Sequence, residues 1–309
     1  MSGREKKPRP RILIDIAEYN SRMLSPQDKT SYFRRGAGRP VILVHGICGS
    51  LHQWDSLSAD LTQAGCEVIA LDLLGHGDSP KPAQEDGYHI DDVYTHFEHW
   101  LDSLELGQPP VLVGHSLGAY LTLNYALRRE ARIGGLFFAN PYFSQRQLSR
   151  PFRMSLRNLE LGKTLLRLAP QWTIASALRI TEANGEHLPR QVRHKLARDY
   201  KKLDPGVIEY ARTTRNLVPQ LHRIAAPTMV VWGERDLTLA PESFPELCER
   251  LPHADRRQLP GGHIPHLTHP APFNRSVIEF IETLRAPDGR GGSAPPRARA
   301  SAWMCPPTT

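Results

Sequence analysis

Five short aliphatic runs, alternating with stretches of helical length, constrain this chain more than any other feature. The runs are Val41-Ile-Leu-Val44, Val68-Ile-Ala-Leu71, Val111-Leu-Val113, Ile133 to Phe138 (interrupted by two glycines) and Thr228-Met-Val-Val-Trp232. Such runs lack the polar alternation of a half-exposed strand, so each reads as a strand buried on both faces. Residues 54–64, 90–106, 117–129, 242–250 and 272–284 have the length and pattern of helices. Alternation of this kind predicts an α/β fold, a mostly parallel sheet with helices on both faces. A shorter strand candidate, Ser31-Tyr-Phe-Arg34, precedes the series.

One segment breaks the alternation. Residues 141–216 contain no buried-strand signal but several amphipathic helical patterns, the first placing Phe152, Leu156, Leu159 and Leu166 near helical spacing. This segment is expected to be a helical lid inserted into the α/β core, which then comprises residues 31–140 and 217–286. It holds 15 Lys+Arg against 6 Asp+Glu, whereas the rest of the chain holds 24 against 26, so the net charge of +7 originates there. A basic insertion favours an anionic or carrier-bound partner, and contact with a membrane surface is open. No interleaving of cations with aromatics marks it for nucleic acid, which is not expected as a partner. Residues 1–30 read as a polar extension, and residues 287–309, rich in Gly, Pro, Ser and Arg, as a disordered tail.

The 309 residues show no apolar stretch of membrane-spanning length. Four scattered cysteines make neither a disulfide framework nor a CxxC metal pair. Asp15 interrupts the apolar stretch after the basic start too early for a signal-peptide core, so a cytoplasmic location is expected. No metal or organic cofactor is implied, because ligands are not clustered and no G-x-G-x-x-G follows a strand.

Gly114-His-Ser-Leu-Gly118 lies between a strand and a helix pattern. That context lets Ser116 occupy a sharp turn, with glycines two before and two after it to relieve crowding. The helix N-terminus beyond would favour negative charge nearby. His45-Gly46-Ile47-Cys48-Gly49 follows the first aliphatic run, and a loop there can aim backbone N–H groups at an oxyanion. Ile47 and Leu117 are the candidate donors. Trp232-Gly-Glu-Arg-Asp236 offers an acid past the last aliphatic run, with Asp236 better placed than Glu234 because the turn is complete before it. His263 sits in a Gly-flanked loop, Leu259-Pro-Gly-Gly-His-Ile264. His45, His76 and His115 read as loop-packing groups; His253, His266 and His269 read as surface or supporting groups.

The order Ser116, Asp236, His263 is the nucleophile–acid–base order of one fold. On it, and on His45-Gly46, Asp72-Leu-Leu-Gly-His-Gly-Asp-Ser79 and Gly262-His263, the chain resembles the α/β-hydrolase superfamily, in its lidded lipase/esterase-like branch, from about Ser31 to Arg285. The resemblance implies that the Asp72–Ser79 loop is structural. It also implies that Ser116, standing where dehalogenases and epoxide hydrolases carry aspartate, excludes both activities. Relatives that place the acid after the earlier strand would use position 140. Asn140 cannot ionise, which leaves Asp236. Ala119 replaces a second glycine found in many relatives.

The activity implied is that of a serine hydrolase cleaving a carboxylic ester or related acyl bond through an acyl-enzyme. Thioesterases, cyclising hydrolases and carbon–carbon bond hydrolases use the same residues, and some proteins of the fold are non-catalytic small-molecule receptors. Trp54, Tyr142 and Phe143 are candidates for lining the acyl pocket, with core packing the alternative for each.

Overall fold

The computed structural model describes residues 29–82, 85–156, 158–177, 188–251 and 254–284. The N-terminal extension as far as residue 28, the tail from residue 285, and His253 therefore lie outside the described residues.

Seven strands form one sheet in the order β1-β3-β2-β4-β5-β6-β7: β1 (Tyr32–Gly36), β2 (Arg39–Val44), β3 (Cys66–Leu71), β4 (Val111–His115), β5 (Gly135–Ala139), β6 (Thr228–Gly233) and β7 (Asp255–Leu259). Only β1 runs antiparallel to its neighbour, pairing Tyr32 with Leu71 at one edge. The central register aligns Val41 with Val111, Val113 with Phe137 and Ala139 with Val231. It brings the C-terminal ends of β2, β4, β5 and β6 to one edge, where ligands of open α/β sheets bind.

Alternate residues of the buried strands feed two apolar layers. Ile42, Leu112, Leu136 and Phe138 face one side, covered by α2 (Ile90–Ser103) and α3 (Leu117–Arg129). Val41, Leu43, Val113 and Phe137 face the other, covered by α1 (Asp55–Gln63) and, at the far end of the chain, α11 (Pro270–Thr283). Val41 through Val44 have no solvent exposure at all, and burial of each such side chain contributes about 2 kcal/mol.

Strand β7, Asp255-Arg-Arg-Gln-Leu259, was not foreseen from sequence. It pairs only with β6 and is largely exposed, so an edge position lets a polar sequence complete the sheet. The segment between β5 and β6 holds α4 (Arg150–Ser155), α5 (Leu159–Leu168), α6 (Gln171–Ala177), α7 (Arg190–Tyr200) and α8 (Ile208–Thr213). The expected continuous face from Phe152 to Leu166 is divided: α4 ends at Ser155, α5 starts at Leu159, and Phe152 is exposed. Beyond β6 come α9 (Phe244–Arg250) and α10 (Pro265–Thr268). Among the described residues no helix is long and apolar enough to cross a membrane.

Candidate active site

Ser116 joins β4 to α3 with φ 49° and ψ −113°. Three described non-glycine residues have positive φ: Cys48, Ser116 and Asn140. They stand just past the C-terminal ends of β2, β4 and β5, so backbone strain is concentrated where the strands open toward one edge. Closeness explains the flanking glycines. A Cβ on Gly118 would fall 2.1 Å from the Val44 carbonyl oxygen, and one on Gly114 would fall 2.7 Å from the Ala119 backbone.

Gly46 lies directly against this turn, since a Cβ there would come within 3.1 Å of the Ser116 Cβ. The loop it opens is pinned from several sides. The Cys48 amide donates to His76 Nε2 at 3.2 Å, and the Leu51 amide donates to Asp72 Oδ1 at 2.9 Å. The Leu73 amide donates to His45 Nε2, leaving His45 Nδ1 to donate to the Gly46 carbonyl. Burial pushes His45 and His76 toward the neutral form these roles require. Asp72 Oδ2 also accepts from the Asp78 amide, and Ser79 Oγ donates to the Asp72 carbonyl at 2.6 Å. The Asp72–Ser79 turn therefore braces the Gly46–Leu51 loop. Ser50 ties the same loop to the helical segment between β5 and β6 by donating to Asp199 Oδ2 on α7 at 2.8 Å. Ile47 is half-buried in this loop, and Leu117, the first residue of α3, is buried.

Asp236 stands three residues beyond β6 and is 2% exposed, whereas Glu234 faces solvent. Four donors surround the Asp236 carboxylate. Oδ1 accepts from the Thr238 and Leu239 amides; Oδ2 accepts from His263 Nδ1 and Asn140 Nδ2, both at 2.8 Å. Burial alone would raise its pKa, but the charge and hydrogen bond of His263, with the Leu239 amide and Asn140, outweigh it and hold the carboxyl below its usual range. With Nδ1 donating to a carboxylate, the neutral His263 ring carries its lone pair on Nε2.

The sequence rules Asn140 out as the candidate acid but carries no sign that its amide donates to Asp236. Its positive φ of 44° and its side-chain amide bring it to both Asp236 and the Gly262 carbonyl, 3.3 Å away. His115 is likewise more than loop packing. Its Nε2 donates to the His263 carbonyl at 2.8 Å, and its ring lies 4.9 Å from the His263 ring, fixing that loop beside the turn that carries Ser116. His266 is not at the surface: it is 2% exposed and stacks on Trp54, with ring centroids 4.8 Å apart. No sequence signal pairs these residues, because their partners lie far away along the chain.

Of the pocket candidates, Trp54 is fully buried in the layer shared with α1 and α11, against His266 and Phe273. Tyr142 and Phe143 lie in the opposite layer with Leu117. The Tyr142 hydroxyl meets Thr214 Oγ1 at 2.7 Å, and its amide donates to the Ser116 carbonyl at 3.3 Å.

Comparison with known proteins matches residues 37–269 to the model of a hydrolase family described as serine aminopeptidase, S33. A "Putative carbamate hydrolase RutD" from Variovorax paradoxus is 30% identical, the match covering 81% of this chain and 94% of that protein. Lipase 1 from Psychrobacter immobilis is 26% identical, covering 80% and 79%. Among solved structures, a thermophilic esterase from Thermogutta terrifontis superimposes with a TM-score of 0.70 at 21% identity, covering 85% of this chain and 97% of that one.

Proposed function

The chain belongs to the hydrolase family described as serine aminopeptidase, S33, and from that membership we propose that it is a serine hydrolase cleaving carboxylic esters or closely related acyl bonds through an acyl-enzyme. The observation that carries this reading is the 2.8 Å bond from His263 to a buried Asp236, at the sheet edge where Ser116 occupies a strained turn.

In the first step His263 Nε2 takes the Ser116 proton as Oγ attacks the substrate carbonyl. Asp236 keeps the imidazole in the required tautomer and stabilises its cation. The amides of Ile47 and Leu117 receive the oxyanion, each donor in such a hole being worth about 3 kcal/mol in the transition state. The imidazolium then protonates the leaving group. In the second step His263 activates water, which releases the acid and regenerates Ser116. The insertion between β5 and β6 acts as the lid over the acyl chain, with Tyr142 and Phe143 at its root and Trp54 beyond the oxyanion loop. Similarity to a protein named as a carbamate hydrolase extends the candidate acyl groups to carbamates.

A turnover screen over p-nitrophenyl esters of graded chain length, an aryl carbamate, a thioester and a vinylogous diketone tests the assignment. Hydrolysis of an ester or carbamate that disappears in Ser116→Ala is the expected result. Turnover of the diketone alone would move the chemistry to carbon–carbon cleavage, and binding without any turnover would make the protein a receptor.

A further inference from the structure

Helix α5 carries five leucines in ten residues, distributed over two faces. Leu159 and Leu166 are half-buried on the side that packs toward α8, where Lys163 also meets Glu209 at 2.8 Å. Leu161, Leu165 and Leu168 follow one another at helical spacing on the other side and are 58%, 61% and 71% exposed. A surface helix of a soluble domain ordinarily confines its apolar residues to the covered stripe. Beyond the helix end, Trp172 on α6 is also 67% exposed, although Ile174 and Ala175 of the same helix are buried against Ala197. Lys201 Nζ donates to the Arg167 and Ala169 carbonyls and fixes the junction between the two helices. The leucines and the tryptophan are thus presented outward by tethered elements.

Charge indicates what such a face meets. Residues 146–177 contain six Lys+Arg and a single Asp or Glu, Glu160. Arg146, Arg150, Arg153 and Arg167 are exposed among the described cations of this stretch. Exposed leucines on one side of α5, an exposed tryptophan on the next helix and exposed arginines in the same stretch are the ingredients of helices lying in the plane of a membrane interface. Arginines near an anionic bilayer strengthen partitioning by roughly fivefold each. We infer that the outer face of α5 and α6 docks the protein on an anionic phospholipid surface, with Leu161, Leu165, Leu168 and Trp172 entering the acyl boundary and the arginines meeting headgroup phosphates. This docking is independent of the catalytic assignment, but it would deliver lipid-borne acyl groups to the insertion that leaves the sheet next to Ser116.

Co-sedimentation of the full chain with vesicles tests it. Vesicles of equal parts phosphatidylglycerol and phosphatidylcholine are expected to bind the protein at least tenfold more tightly than pure phosphatidylcholine, with affinity falling as salt rises. The triple variant Leu161→Ser/Leu165→Ser/Leu168→Ser should weaken binding at least tenfold, as should Arg150→Gln/Arg153→Gln/Arg167→Gln. Both should retain wild-type circular dichroism and turnover of a water-soluble ester. Trp172→Ser supplies a single-site check should either triple variant misfold. Equal affinity for both vesicles, no binding by the wild type, or serine and Trp172 variants that bind unchanged would overturn the proposal. So would a wild-type dimer that the serine variant dissociates without any vesicle binding, which would assign the face to a second copy of the chain. Vesicle binding by a protein that hydrolyses no ester would defeat the catalytic assignment and leave the docking intact.

Discussion

Asn140 Nδ2 and His263 Nδ1 donate to the same oxygen, Oδ2 of Asp236, each at 2.8 Å. The end of β5 and the end of β6 therefore contribute to one hydrogen-bonded unit, and position 140 lies within reach of the group that orients the imidazole.

That unit makes a two-step prediction. Asp236→Asn should lower kcat by about 10⁴ without unfolding the protein, because the tautomer of His263 is no longer enforced. Adding Asn140→Asp to that variant moves the carboxylate to the neighbouring strand and should recover at least tenfold of the lost rate. Steady-state kinetics on the best ester of the screen checks both. A loss below tenfold in the single variant would show that another acid serves; no recovery in the double variant would show that position 140 only packs.

The elbow at Ser116 depends on backbone proximity more than on side chains. Gly118→Ala sets a Cβ 2.1 Å from the Val44 carbonyl oxygen, a backbone atom in the centre of the sheet. The expected cost is about 3 kcal/mol or more, read as a lowered thermal midpoint. Gly107→Ala is the matched control: a Cβ there meets nothing within 4 Å, and its midpoint should not fall.

Buried histidines predict instability on acidification. Burial lowers His266 to about 3, helped by the neighbouring His263, and lowers His96 to about 4, helped by His99. His45, His76 and His115 are also pushed down, each chiefly by burial. In the unfolded chain these groups bind protons near pH 6.5, whereas the folded protein leaves them neutral. Stability is complete above that value and is lost progressively as pH falls from about 6.5 toward 3, because the unfolded state there binds more protons. The depressed Asp236 acts in the same direction at lower pH. Replacing one histidine should flatten the dependence. His266→Phe keeps an aromatic ring between Trp54 and Phe273 and should reduce the slope of unfolding free energy by up to about 1.4 kcal/mol per pH unit. Denaturant titrations between pH 7 and 4.5 would reveal it; identical slopes would show that His266 titrates normally.

Strands β2 to β6 were legible because burial on both faces leaves a continuous aliphatic run, a signal contained within each segment. β7 was not, since Asp255, Arg256 and Arg257 satisfy an edge that asks little of its side chains. The break between α4 and α5 is not legible either, because amphipathic spacing continues from Phe152 to Leu166 with no Gly or Pro between Ser155 and Leu159 to mark it. At the site, Ser116, Asp236 and His263 could be named as candidates from local strand–turn contexts and their order. The groups that support them could not. Asn140 meets its carboxylate across 96 positions, His115 meets the His263 carbonyl across 148, and Ser50 meets Asp199 across 149. Those pairings exist only once the sheet register is set.

Labelling with a fluorophosphonate, followed by mass spectrometry of the digested protein, tests directly whether the hydroxyl at the β4–α3 turn is nucleophilic. A single adduct on the peptide bearing residue 116, absent from a Ser116→Ala variant with wild-type thermal unfolding, is the predicted outcome. A folded protein that takes up no probe, or an adduct that persists in the alanine variant, would contradict it.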